Sequence, residues 1–215
     1  MHFFVVTFIQ IVSEILRWLF NNYIEILATL TGMIYLLYSI EGKIQLWFFG
    51  LITSSLYIYV FYSSGIYADM AINIYYVFIS IYGWYHWKYP GRKSIKELPI
   101  SRLKFKTGLT LLLVSLLLFL AIAILLIEFT DSVIPWGDAF TTAFSITATW
   151  MLARKIMEHW LIWILVDLVS VILYIYKGLY PTVILFILYT TLAIAGYLQW
   201  RKLWKTQSDT RSESY

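Results

Sequence analysis

The chain has 215 residues, 61% hydrophobic and 13% charged, with no cysteine and a formal net charge of +4. A soluble domain carries about one quarter charged residues, so this composition excludes a soluble catalytic domain and points to one integral membrane domain. The missing cysteines exclude disulfides and thiolate metal sites, and the positive charge is explained by membrane topology, with no nucleic-acid partner expected.

Residues 1–22 come first. Thr7, Gln10, Glu14 and Arg17 form a narrow polar stripe at helical spacing in an otherwise apolar segment. That pattern predicts an amphipathic helix lying in the membrane interface. A signal peptide is not expected, because a basic start and a small-residue cleavage site are missing.

Seven apolar runs follow, over 23–40, 44–62, 69–87, 107–129, 138–153, 160–176 and 182–200. Apolar runs of this kind, near 18 or more residues, read as membrane-crossing helices, whereas a barrel would show short strands of alternating polarity. Every Lys and Arg except Arg17 and Lys177 falls on one side of a seven-helix path: Lys43, the seven basic residues of 88–106, Arg154 and Lys155, and the four after residue 200. Positive charge in short loops stays cytoplasmic, so the C-terminus is expected inside and the loop 130–137 outside.

The two halves repeat. A shift of 113 positions places Trp47 on Trp160, Gly65 on Gly178, Tyr76 on Tyr189, Gly83 on Gly196 and Trp87 on Trp200. Equivalent helices are four apart, so the repeats are expected to be parallel, the build of one class of secondary transporter. The fold expected is all-α: an interfacial helix over 1–22, then a transporter domain over 23–202, then a cytoplasmic tail over 203–215. Within that domain, repeat one spans 23–88, a linker helix 107–129, and repeat two 138–202.

Polar side chains at membrane depth are expensive and mark function. Trp160, Trp163 and Asp167 share one helix face at i, i+3 and i+7. Two indoles can enclose a flat ring, and a cation over an indole is stabilised by the ring face. A carboxylate on that face adds a counter-charge, so the expected ligand is a cationic aromatic solute. Asn73, Tyr76 and Ser80 repeat this spacing on the third run, and Thr142, Ser145 and Thr149 on the fifth. The second run contributes Trp47, Thr53, Ser54 and Tyr57, with Ser54 the repeat partner of Asp167, and Tyr75 and Tyr189 are additional walls. The competing reading of these groups is interhelical hydrogen bonding and an interfacial aromatic belt. Arg154, Lys155 and Glu158 lie at the turn after the fifth run, where Glu158 is placed to pair with Arg154 at i, i+4 and the cluster to anchor to headgroups. His2, His86 and His159 are scattered, with no metal-ligand spacing and no Walker A motif. No enzyme, cofactor or ATP use is expected.

The stretches YGWYHWK (82–88), WMLARKIMEHWLIW (150–163), DLVSVILYIYKGLYPT (167–182) and GYLQWRK (196–202) resemble the PnuC family of bacterial vitamin transporters, over about residues 24–202. The resemblance implies a SWEET-like three-plus-one-plus-three arrangement in the inner membrane and facilitated diffusion of nicotinamide riboside. It also implies an intracellular vitamin kinase that traps the product, assembly as a homotrimer, and a substrate site that includes Trp160 and Trp163. Asp167, Asn73 and Thr53 depart from the Asn, Gln and Asn usual in riboside transporters. Together with GIYADMAINIYY and VIPWGDAFTTAFSI, which resemble the thiamine-importing PnuT branch, they move the expected substrate to thiamine, with nicotinamide riboside as the alternative. A non-transporting membrane scaffold or sensor is the reading from a different class.

Overall fold

The computed structural model describes residues 12–14, 17, 19–20, 22–64, 67–91 and 98–212. The interfacial helix expected over 1–22 lies largely outside the described residues. Seven named helices follow: α1 (Tyr23–Glu41), α2 (Gln45–Ser63), α3 (Tyr67–Lys88), α4 (Phe105–Phe129), α5 (Pro135–Ala153), α6 (His159–Tyr176) and α7 (Tyr180–Ser212). Their bounds track the seven apolar runs, except that α7 continues past residue 200 and carries the basic residues there on its own last turns. By length and composition α1, α2, α4, α6 and residues Tyr180–Asp209 of α7 are able to cross a membrane. The more polar α3 and α5 carry the stripes of Asn, Tyr, Ser and Thr that face the interior.

Neighbours in sequence pack together from α1 to α3 and from α4 to α7, and two further contacts, α3 on α5 and α1 on α7, join the halves. α4 touches only α5 among these elements and leaves most of its leucines exposed, as a lipid-facing helix does.

Residues 113 apart make matching contacts. Trp47 is buried against Gly83, and Trp160 against Gly196; a Cβ on either glycine would lie within 3.0 Å of the facing indole. Small residues let helices approach closely where lipid supplies no hydrophobic drive. Trp47 meets Trp87 edge to face with centroids 5.6 Å apart, and Trp160 meets Trp200 in the same way at 6.2 Å. The Trp87 indole N–H donates to Ala153 O at the end of α5 (3.1 Å), and the Trp200 indole N–H to Ser39 O near the end of α1 (2.9 Å). Each half therefore caps the first helix of the other. The indole N–H groups of Trp47 and Trp160 are both buried without a partner among the described residues, so close packing has taken precedence over hydrogen bonding there.

The segment before α4 is pinned to the α5–α6 turn. Ser101 N–H donates to Lys155 O and Met157 N–H to Ser101 O, both at 2.9 Å, a single parallel bridge. Glu158 accepts from Arg102 Nε (2.6 Å) and from Leu103 N–H (2.8 Å). This corrects the expected Glu158–Arg154 pair. Arg154 turns away to donate to the Tyr82 hydroxyl at 2.9 Å, because the turn after α5 breaks the helical spacing that an i, i+4 pair requires. Glu158→Gln is expected to lower the thermal midpoint of the detergent-solubilised protein more than Arg102→Gln does. Arg102 is half exposed, which holds its ionic share to about 1 kcal/mol or less, while the Leu103 N–H loses a charged acceptor. Equal midpoints for both variants would remove Glu158 as the anchor.

Candidate functional site

Two adjoining cavities of about 400 and 420 Å³ occupy the interior, each large enough for a small vitamin. They share Tyr35, Thr53, Tyr57, Ile72 and Trp163 as common walls. Asn73 and Tyr76 of α3 and Ser54 of α2 line the first. Trp160 and Asp167 of α6, Thr142 and Ser145 of α5 and Tyr189 of α7 line the second. The helical stripes read from spacing thus converge on one polar interior, since residues at i, i+3 and i+7 share a face.

Three expectations need correction. Trp47 lines neither cavity: its ring is taken up by Gly83 and Trp87, and it belongs to the aromatic cluster at the end of the bundle. Trp160 and Trp163 do not present two open faces either. Trp160 is 2% exposed, with its ring against Gly196, His159 and Trp200, whereas Trp163 opens on both cavities. Trp163 is therefore the indole able to cover a flat solute, and Trp160 contributes an edge of the wall. Tyr75 also stands outside the lining and donates to Ile146 O across to α5 at 2.9 Å.

α1 supplies walls that the sequence reading missed: Thr29, Gly32, Tyr35, Leu36 and Ser39. The signal was present as small and polar residues at i, i+3, i+6 and i+10. Their hydroxyls are organised across the bundle: Thr53 Oγ1 donates to Thr31 Oγ1 at 2.8 Å, and Thr29 and Tyr57 share a hydrogen bond at 3.2 Å. Thr29 and Gly32 are the repeat partners of Thr142 and Ser145, so equivalent turns of α1 and α5 line the same space.

Asp167 is 5% exposed and has no ion-pair partner among the described residues, whose ion pairs are Lys43–Glu41, Arg102–Glu158 and Lys177–Asp138. Asp69, at the start of α3, lines the first cavity, and its carbonyl accepts from Asn73 Nδ2 at 2.8 Å. The two lining carboxylates are matched by no lysine or arginine among the described residues of either cavity. The described lining of the two cavities therefore combines carboxylates with aromatic side chains.

An all-helical bundle of apolar spans around such an interior is the build of a small-solute membrane carrier. The family model described as nicotinamide mononucleotide transporter matches residues 22–202, and the chain belongs to that family. It is a multi-pass membrane protein. The nicotinamide riboside transporter PnuC of Escherichia coli (strain K12) is 26% identical over 203 residues, covering 83% of this chain and 85% of that protein. The nicotinamide riboside transporter PnuC of Neisseria mucosa is 26% identical over 198 residues, covering 87% of this chain and 75% of the relative. The riboflavin/roseoflavin transporter RibM of Streptomyces davaonensis is 29% identical over 126 residues, covering 57% and 58%. The crystal structure of the vitamin B3 transporter PnuC superposes with a TM-score of 0.70 at 24% identity, over 94% of this chain and 90% of that one, and shows the same fold. None of these relatives is described as a thiamine transporter, so the expected preference for thiamine finds no support and the alternative, nicotinamide riboside, fits them better.

Proposed function

We propose that the protein carries nicotinamide riboside across the bacterial inner membrane by facilitated diffusion, with the C-terminus cytoplasmic. The observation that carries this reading is the placement of Asp167 and Trp163 on the walls of one interior cavity. A pyridinium ring over the Trp163 indole is favoured by the ring face, and the Asp167 carboxylate offsets its charge. The hydroxyls of Thr53, Tyr57, Tyr76 and Ser145 offer the donors and acceptors that a ribose and a carboxamide require. The acidic lining argues for the riboside over the mononucleotide of the family's description, since a phosphate would enter with no cation to meet it. Neutral riboflavin gains nothing from Asp167.

We read the bundle as two parallel three-helix repeats, α1–α3 and α5–α7, joined by α4. The matching Trp47–Gly83 and Trp160–Gly196 contacts support that reading. Alternating access then follows from one repeat rocking against the other about the cavity. No ATP site or metal enters the scheme, and an intracellular kinase supplies direction by consuming the imported riboside.

The test is uptake into proteoliposomes of labelled nicotinamide riboside, thiamine and riboflavin, each in parallel. Saturable riboside uptake without an imposed ion gradient is the expected result. Uptake of thiamine or riboflavin alone would move the substrate to that vitamin, and uptake of none would favour a scaffold or sensor.

A further inference from the structure

Asp69, in the first turn of α3, lines the first cavity and is also exposed at the end of the bundle where α1, α3 and α5 begin. It therefore stands at the cavity mouth, whereas Asp167 is buried in the second cavity. Asn73 holds this turn of α3: it is 8% exposed, and its Nδ2 donates to the Asp69 carbonyl at 2.8 Å. The stacked rings of Tyr57 and Phe61, with centroids 5.5 Å apart, line the same cavity. Tyr57 and Trp163 continue into the second cavity, so one aromatic wall runs from the cavity of Asp69 to that of Asp167.

The cation in electrostatic reach of Asp69 is Lys177, just after α6. Its ammonium is taken up elsewhere. It donates to Asp138 Oδ1 at 2.8 Å and to Oδ2 at 3.2 Å, in the first turn of α5. The Ser132 hydroxyl donates to the same Oδ2 at 2.8 Å and fixes the acceptor in place. Lys177 lines neither cavity, and Asp69 belongs to none of the ion pairs among the described residues. A carboxylate at the mouth of an aromatic cavity, with its neighbouring ammonium bound to a second carboxylate, leaves a negative charge for a passing cation to meet.

We propose that Asp69 forms an entry subsite for the cationic aromatic solute, which meets it at the mouth of the first cavity and then passes along the shared wall to Asp167. Asp138 is a positioning residue that keeps Lys177 off Asp69. A charge at the rim raises the rate of encounter, whereas a buried one governs release, so the two carboxylates divide capture from retention. The subsite rests on the proposed carriage of a cationic vitamin, and it holds for the riboside and for thiamine alike.

The experiment is stopped-flow quenching of tryptophan fluorescence in the full chain in detergent. The probes are nicotinamide riboside, its neutral dihydro form and thiamine. Asp69→Asn is expected to slow association of the charged riboside about three- to tenfold at low salt and to flatten its dependence on ionic strength. Association of the dihydro form is expected to stay as in wild type, which a fault in folding would not allow. Asp131→Asn removes an exposed carboxylate at the same end that lines neither cavity, and its rate is expected within about twofold of wild type. Asp138→Asn releases Lys177 and is expected to slow the charged riboside as Asp69→Asn does, with the rate restored by adding Lys177→Gln. An Asp69→Asn rate no slower than that of Asp131→Asn overturns the subsite and leaves the riboside reading standing. Thiamine bound with this dependence on Asp69, and riboside not bound, keeps the subsite and overturns the riboside reading. Binding of neither cation to wild type overturns both.

Discussion

Asp167→Asn is expected to weaken binding of nicotinamide riboside about 10–100-fold, as loss of the only charged side chain among the described residues that line the second cavity. The change is isosteric, so cavity shape and the packing of α6 are retained. The control is the reduced dihydro form of the riboside, which has nearly the same shape and no ring charge. It is expected to bind wild type and variant alike. Quenching of tryptophan fluorescence reads both, since Trp163 opens on the cavity. Equal losses for the charged and the neutral ligand would make Asp167 a hydrogen-bonding or structural group and remove the counter-charge from the mechanism.

Gly196→Ala and Gly83→Ala should each destabilise the bundle, by about 1–3 kcal/mol of overpacking. A methyl at position 196 would lie 2.6 Å from the Trp160 ring, and one at 83 would press on Trp47 just as closely. Neither indole has room to retreat, because Trp47 is held by Trp87, and Trp160 by His159 and Trp200. The two variants part in function. Trp160 walls the second cavity and Trp47 does not, so Gly196→Ala is expected to weaken riboside binding as well as stability, and Gly83→Ala stability alone. Thermal midpoints and binding isotherms on the same preparations check both halves of this expectation. Binding lost equally in the two variants would mean that the aromatic cluster acts on the cavity as one unit.

The limits of the seven helices were legible in the chain because apolar length has a direct physical cause, the thickness of the hydrocarbon layer. The polar stripes were legible for a similar reason. Spacing by three and four residues fixes which side chains share a helix face, and Asn73 with Tyr76, Thr142 with Ser145, and Asp167 do meet in one interior. The α1 walls escaped notice because Thr29, Gly32 and Ser39 are small and no single one is costly in a membrane. Trp47 and Trp160 look interchangeable as repeat partners, yet only Trp160 borders a cavity.

Composition and periodicity by themselves determined that this is a helical membrane protein with acidic and aromatic residues grouped on helix faces. They act through the local chain and the bilayer, so they need no knowledge of neighbours. Tertiary structure alone decided that Glu158 holds Arg102 and Leu103 rather than Arg154, that Trp163 rather than Trp160 opens on the cavities, and that Lys177 pairs with Asp138. Each of those outcomes depends on which of several compatible partners the packed helices bring within a few ångströms, and a one-dimensional pattern carries faces but not the pairing of faces.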